Sequence, residues 1–414
     1  GTASAIAAAF SAPIAGLIFA HEVILRHYSM QAFAPVTVSA TCGYVISAIL
    51  FERPHLISVV PEQTAHSWEF PIFAIIGVAA SVVAYLFING IFRAQNIFGR
   101  INIWHPAKTG FAGAVVGVVA IWLPEVTGVG QETLQLSTAG GVYAPYHFAL
   151  ILIGKLALTA LCLGAGFVGG VFSPSLVMGS ALGGLFWSAM VYFTNLDVAP
   201  AAFYVVSGMM AVTAPVIGAP LTAIIVVLEL TRNYEFAIAS MIAVVFSTAL
   251  CYRMTSRSFF DLTLLKNGYD LSQGRDQARM ALIPVSRYMM DEAPVFCASE
   301  HLSVAREVVN THGWAEVFLM DHEGRYIGNI RSADILTSHA PTLNDLPYRE
   351  GLTFSDTTSI KDAMTMLEGF VGDAVPVVSQ QTHKLIGAVT EADVIQAYLH
   401  VVDDLRKEEH ATLL

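Results

Sequence analysis

Charge is scarce in the first 260 residues of this 414-residue chain: 9 Lys and Arg and 9 Asp and Glu, against 12 and 23 in residues 261–414. A soluble domain is about 25% charged, so about 7% excludes an ordinary soluble fold for the first part, while about 23% suits one for the second. The step marks a domain boundary in composition. The net charge of −11 belongs wholly to the C-terminal part and has the wrong sign for a nucleic-acid partner. Cysteine is rare too. Cys42, Cys162, Cys251 and Cys297 are scattered, three of them in apolar stretches, with no CxxC and no Cys/His metal spacing. Neither a disulfide framework nor a zinc site is indicated. His21-Glu22 leads to Leu25 and His27, so the second histidine of a helical zinc-protease motif is missing from its place one turn on. A divalent-cation transporter needs several oxygen ligands, and only Asp197 and Glu229 flank the long apolar runs. The opening GTASAIAAAF carries neither Met nor a charged leader. It is not a signal peptide and reads as the interior of a longer protein.

What the first part does have is apolar length. Crossing a hydrocarbon core of about 30 Å takes about 20 helical residues. Gln31–Phe51 and Phe70–Gly90 are uncharged runs of that size, and Phe236–Tyr252 is a shorter one. Leu156–Asn195 and Val198–Leu228 are longer but interrupted by Gly and Pro. Backbone that leaves the helix inside a bilayer must be buried in protein or line a cavity, so broken segments point to a transport site.

A repeat organises these segments. Ala12-Pro13-Ile14-Ala15 runs through LIFAH to Glu22-Val23, and Ala219-Pro220-Leu221-Thr222 runs through IIVVL to Glu229-Leu230. In both, the glutamate stands nine positions after the proline, as expected of a transporter built from two related halves. The first half would then begin upstream of Gly1. The basic residues Arg253, Arg257, Lys266, Arg275 and Arg279 follow the last apolar run and favour a cytoplasmic C-terminus. Beyond them a second repeat appears: YIGNIRSADIL (326–336) and LIGAVTEADVI (385–395), with Gly328/Gly387 and Asp334/Asp393 in step. Each copy reads as helix, strand, turn, strand, helix. Units of about 60 residues are small for independent stability, so the copies are expected to pair.

The chemistry concentrates in Gly164–Ser175, GAGFVGGVFSPS, which sits between two apolar runs and leads into a new helix. Pro174 suits a first turn. A helix N-terminus offers unpaired N–H groups and partial positive charge, and Gly169 and Gly170 allow an ion close to the backbone. Backbone dipoles meet an anion in a bilayer without trapping it as a full lysine charge would. The alternative is a Gly-rich packing interface between helices.

GGVFSPSL resembles the GxFxP signature of the CLC family of chloride channels and transporters. FSAPIAGLIFAHEVIL and GAPLTAIIVVLELTRNY resemble two further CLC segments, in the family's order, over about residues 1–268. The C-terminal repeats resemble a CBS pair. The resemblance implies a multi-pass α-helical membrane protein with CLC-like inverted repeats, N-terminally incomplete, followed by an α/β CBS pair. The expected domains are 1–265 (transmembrane), 266–283 (linker), 284–340 (first CBS) and 341–404 (second CBS). It further implies anion transport, no enzyme activity, a homodimer in a plasma or inner bilayer, and cytoplasmic CBS domains. Carried over by position, Gly170, Val171, Phe172, Ser173 and Pro174 form the anion site, with the amides of Val171 and Phe172 on the ion. The family's tyrosine hydroxyl falls on Phe260, so the central site is expected to be weaker or differently selective. Tyr234 is not its substitute and reads as interfacial. The inner proton-carrying glutamate of family exchangers falls on Val23. That favours a channel or a weakly proton-coupled pathway over a proton/chloride exchanger, unless coupling uses another group. Glu22 is expected to cap or pair locally, and the family's gating glutamate would lie upstream of Gly1. No cofactor is required by this reading. In the CBS pair, Gly387, Thr390 and Asp393 fit a Gly-x-x-Thr-x-x-Asp nucleotide pattern, and the first copy keeps Gly328 and Asp334 with Arg331 at the Thr position. This implies either an adenine-nucleotide site or a purely structural dimerisation module.

Overall fold

The computed structural model describes residues 1–26, 28, 30–51, 64–194, 196–268, 270, 275–290 and 293–411. The chain divides into two compact units, Gly1–Lys266 and Asn267–Leu414. His27, Asn195, and residues 269 and 271–274 of the expected linker lie outside the described residues.

Among the described residues the first unit's regular elements are helices: α1 (Thr2–Phe10), α2 (Pro13–Phe19), α3 (Met30–Phe51), α4 (Phe70–Arg100), α5 (His105–Ala120), α6 (Gln131–Ala139), α7 (Pro145–Ala165), α8 (Phe172–Phe193), α9 (Ala201–Ile217), α10 (Pro220–Thr231), α11 (Tyr234–Thr255) and α12 (Phe259–Lys266). Proline opens α2, α7 and α10, where its missing N–H costs nothing. Glycine in the left-handed region closes α7 at Gly166 and α9 at Gly218. These two glycines split the long apolar runs into α7/α8 and α9/α10. Among the described residues five helical stretches are long and apolar enough to cross a membrane: Met30–Leu50, Ser67–Arg100, Pro145–Ala165, Phe172–Phe193 and Tyr234–Lys266. α4 runs ten residues past the uncharged stretch because Arg93 and Arg100 sit near its end, where a helix of 31 residues outruns the hydrocarbon core.

Small residues let these helices touch backbone to backbone, as association within a bilayer requires. A side chain at Gly183 of α8 would collide with the backbone of Tyr204 and Val205 in α9, and one at Gly208 of α9 with Gly183. Gly164 of α7 meets Ala94 of α4 in the same way. α9 is buried along its whole length. By contrast, Ile75, Val78, Val82 and Leu86 form an exposed apolar stripe along α4.

The second unit holds two matching three-stranded sheets. After α13 (Arg275–Met280) come β1 (Val295–Cys297), α14 (Leu302–His312), β2 (Glu316–Met320), β3 (Tyr326–Arg331) and α15 (Ser332–Thr337). The second copy is β4 (Phe354–Ser355), α16 (Ile360–Met366), β5 (Ala374–Val378), β6 (Leu385–Thr390) and α17 (Glu391–Ala411). In each, the first strand runs parallel to the second and the second antiparallel to the third. Even the irregularity recurs, after Leu319 and after Val377. The copies also exchange leading segments. Met290, ahead of the first copy, donates to the Ala388 carbonyl of β6, while Arg349, ahead of the second, pairs with Asn329 of β3 through both backbone groups. The leading segment of each copy is thus tied to the last strand of the other.

Candidate functional site

The glycine-rich stretch forms the break between α7 and α8. Gly166 (φ 99°) turns the chain, and residues 166–170 are exposed. A side chain at Gly170 would meet nothing within 4 Å, so the backbone there is open to approach. Val171, buried at 1% exposure, stands at the cap position of α8, and no side chain caps this helix. Phe172 packs its ring on Phe10 of α1 (5.0 Å between centroids) and Phe19 of α2 (6.4 Å). Ser173 is committed elsewhere: its hydroxyl donates to the Val129 carbonyl at 2.7 Å. Pro174 is the third residue of the helix. The start of α8, with its positive helix polarity, thus follows directly on an open, exposed glycine stretch.

In the middle of α7 stands Lys155, 3% exposed, whose Nζ donates to the carbonyls of Val126 and Gly128, each at 2.9 Å. The lysine fixes the segment 126–129 that in turn receives the Ser173 hydroxyl. Sequence reasoning passed over it, although a lone charge inside the otherwise uncharged Pro145–Ala165 run was the signal.

The first repeat proves to be conformational as well as sequential. Ser11 and Gly218 both adopt the left-handed region (φ 54° and 77°), and Ala12 and Ala219 share φ near −130°. The glutamates then exchange partners. Glu22 accepts from the amides of Leu221 and Thr222 at 2.9 and 2.8 Å and from the Thr222 hydroxyl at 2.6 Å. Glu229 accepts from the amides of Ile14 and Ala15 at 3.0 and 2.7 Å. Nine residues are about 13 Å of helix, so each carboxylate reaches its partner's first turn only if α2 and α10 run antiparallel. Glu22 does cap a helix, but one 199 positions away rather than locally as its sequence neighbourhood suggested. α2 continues into a wide π-type turn, Ala20–Leu25, which holds His21, Glu22 and Val23. Arginine in the left-handed region closes both copies, Arg26 (φ 58°) and Arg232 (φ 52°), with the π turn supplying one extra residue in the first. Val23 is half-buried against the main core.

Phe260 of α12 is half-buried in that same core, stacked edge-on against Phe259, which in turn meets Phe92 of α4. Beside it, the Ser258 hydroxyl donates to Asp261 at 2.7 Å, and Asp261 also pairs with Arg26. Tyr234 is 72% exposed at the start of α11. Asp197 is exposed, and among the described residues no group of three or more His, Cys, Asp or Glu is placed to hold a metal ion. The four cysteines are free.

In the second unit Thr390 and Asp393 cap α17 reciprocally: the Thr390 amide and hydroxyl donate to Asp393 at 2.9 and 2.7 Å, and the Asp393 amide donates back at 3.1 Å. In the first copy the place of that box is taken by a fork from Arg331 to Asp334, at 3.1 and 3.4 Å. Gly387 lies under Met289 and Gly328 under Tyr348 and Arg349, so the exchanged leaders roof both glycines.

Two family models match: voltage gated chloride channel over residues 1–252 and CBS domain over residues 344–400. The chain is 29% identical over 273 residues to a ClcB-like chloride channel protein of Ralstonia nicotianae, covering 65% of this chain and 63% of that protein. It is 30% identical over 261 residues to the H(+)/Cl(-) exchange transporter ClcA of Vibrio cholerae, covering 60% and 55%. The chain thus spans less than two thirds of the length of these relatives. Its fold is similar to that of a slow cyanobacterial Cl-/H+ antiporter (TM-score 0.58, 21% identity, 64% of this chain and 63% of that one). It is also similar to a eukaryotic CLC transporter (0.54, 20%, 94% and 69%). The inverted capping pair, the broken α7–α8 segment and these matches together place the chain in the CLC voltage-gated chloride channel family, with a C-terminal CBS pair.

Proposed function

We propose that this protein carries chloride or a similar small anion across a lipid bilayer and catalyses no covalent chemistry. The observation that supports this most directly is the contrast among helix starts. α2 and α10 have their first turns filled by Glu229 and Glu22, whereas α8, without a side-chain cap as α1, α5, α6, α7 and α9 also are, follows directly on the exposed Gly169-Gly170 backbone, where a side chain at Gly170 would meet nothing within 4 Å. In this reading Gly170, Val171 and Phe172 receive the ion through backbone dipoles. Phe260 supplies no hydroxyl, which weakens the central site. Val23 supplies no proton-carrying carboxylate, which leaves a channel or a weakly proton-coupled pathway. The rival reading, a tightly coupled proton/chloride exchanger, draws on the names of relatives such as ClcA. The protein acts as a homodimer in a plasma or inner membrane with the CBS pair on the cytoplasmic side, where the pair either binds an adenine nucleotide through Thr390 and Asp393 or serves as a purely structural dimerisation module.

The test is anion efflux from liposomes carrying the full-length protein, with external pH recorded at the same time. Chloride efflux with few protons moved per ion is the expected result. A fixed, high proton-to-chloride ratio turns the reading to an exchanger, and absence of anion flux overturns it.

A further inference from the structure

The π turn that interrupts the end of α2 carries three residues of different chemistry in a row, and they are committed to different degrees. Glu22 gives its carboxylate to three donors across the interface with α10. Protonating it sacrifices that cap. Val23 has nothing to protonate. His21 is 2% exposed, and its Nδ1 lies 3.1 Å from the Leu17 carbonyl. That contact requires the hydrogen on Nδ1 and leaves a lone pair on Nε2. Nε2 is itself buried and has no hydrogen-bond partner among the described residues. The ring stacks on Tyr28 (5.8 Å between centroids, 7° between planes) and meets Phe33 of α3 at 6.2 Å.

A buried polar atom without a partner is costly, and a leucine in this aromatic slot avoids that cost. Local departures to π geometry also gather at functional sites. Resting on the reading of this chain as an anion carrier, we propose that His21 Nε2 is the proton-binding site of the transport cycle: it takes up a proton to give an imidazolium and releases it again as the anion moves. Imidazole is suited to this, since one ring nitrogen can stay bonded to Leu17 while the other takes up and releases a proton. Leu17 holds the ring in one tautomer, and the carboxylate of Glu22 on the same turn offsets part of the imidazolium charge.

Among the described residues few other titratable groups surround the ring. Tyr28 stacks on it, and Glu22 adjoins it in sequence. α3 contributes Tyr44, packed on the small cluster of Ala3, Ala7, Ala20 and Ala40, and Cys42, which is exposed. α1 and α2 carry none. Arg26 is engaged with Asp261.

The experiment is a chloride-gradient-driven proton-uptake assay on the full-length protein in liposomes, with chloride efflux read in parallel. His21→Phe is expected to reduce proton movement tenfold or more while chloride efflux changes less than twofold. Adding Val23→Glu to that variant is expected to restore proton movement, which a merely structural role for His21 does not predict. If His21→Phe does not fold, His21→Gln keeps a donor for Leu17 without a titratable nitrogen and is read in the same way. Unchanged proton movement in a folded His21 variant overturns the proposal. So does a native protein that passes chloride without protons, a result that leaves the anion reading standing. No chloride flux in the native protein instead defeats the anion reading itself.

Discussion

Glu22 and Glu229 each cap the first turn of the helix that carries the other, although 207 positions separate them in the sequence. The exchange joins the α2 and α10 segments through charge-assisted hydrogen bonds at two helix N-termini, where negative charge is most favourable. It is not fully symmetric: Glu22 receives the Thr222 hydroxyl as a third donor, and Ala15, at the matching position of the other copy, has none to offer.

Removing either carboxylate leaves first-turn amides unpaired within the helical unit. Glu22→Ala is expected to cost about 3 kcal/mol and Glu229→Ala about 2 kcal/mol, taking each of the three and two hydrogen bonds at about 1 kcal/mol net. Thermal unfolding in detergent checks the order. A cycle of Glu22→Ala with Thr222→Ala should show coupling, since the pair shares one hydrogen bond.

Lys155→Met keeps the length of the side chain but frees the carbonyls of Val126 and Gly128. The expected consequence is a loss of about 2 kcal/mol in stability, with weaker anion binding because the segment holding Ser173 is no longer fixed. Ser173→Ala tests the second half of that linkage and should reproduce the weaker anion binding with a smaller loss of stability. Chloride titration followed by calorimetry separates the two effects.

Gly170 and Gly183 predict opposite outcomes for the same substitution. Gly170→Ala meets open space, so the protein should fold normally while anion flux falls. Gly183→Ala collides with the Tyr204 and Val205 backbone where α8 crosses α9, and overpacking of this kind costs about 1–3 kcal/mol or more. Monodispersity on size exclusion and chloride flux, measured for both variants, give the contrast.

Asp393→Ala removes the reciprocal box with Thr390 and should destabilise the C-terminal unit by about 1 kcal/mol. Asp334→Ala breaks only a half-exposed pair with Arg331, worth well under 1 kcal/mol. If Thr390 and Asp393 hold an adenine nucleotide, calorimetric AMP binding is lost in the first variant and kept in the second.

Alkali gives a further handle on the same unit. Burial pushes the Tyr326 phenol up to about 12, against the opposing effect of a Gly351 backbone hydrogen bond and with help from Glu316 and Glu350. The folded state therefore holds this proton more tightly than the unfolded chain, whose tyrosine titrates near 10. The contribution is complete below pH 10 and is lost as pH rises from 10 to 12. Tyr326→Phe should flatten the stability profile in that window, as read by circular dichroism.

The sequence by itself determined the division into an apolar and a charged part, the interruption of Leu156–Asn195 and Val198–Leu228 by Gly and Pro, and both internal repeats. These are local or periodic properties. A bilayer-length apolar run, a proline at a helix start and a glycine at its end act through their immediate neighbours, and a repeat needs only comparison of the chain with itself. It also marked Val171, Phe172 and Phe260 through resemblance, and it left Glu22 as a local cap. Only the tertiary structure decided where Glu22 goes, because a helix cap needs an amide at hydrogen-bond distance and nothing in a linear pattern says which of several starts is near. The same holds for Lys155, whose carbonyl partners lie 27 and 29 positions away, and for the exchanged leaders of the CBS copies. His21 is the clearest instance. Its residue type was legible, but its burial, its single bond to Leu17 and its unpartnered Nε2 arise from the packing of the π turn against Tyr28 and α3.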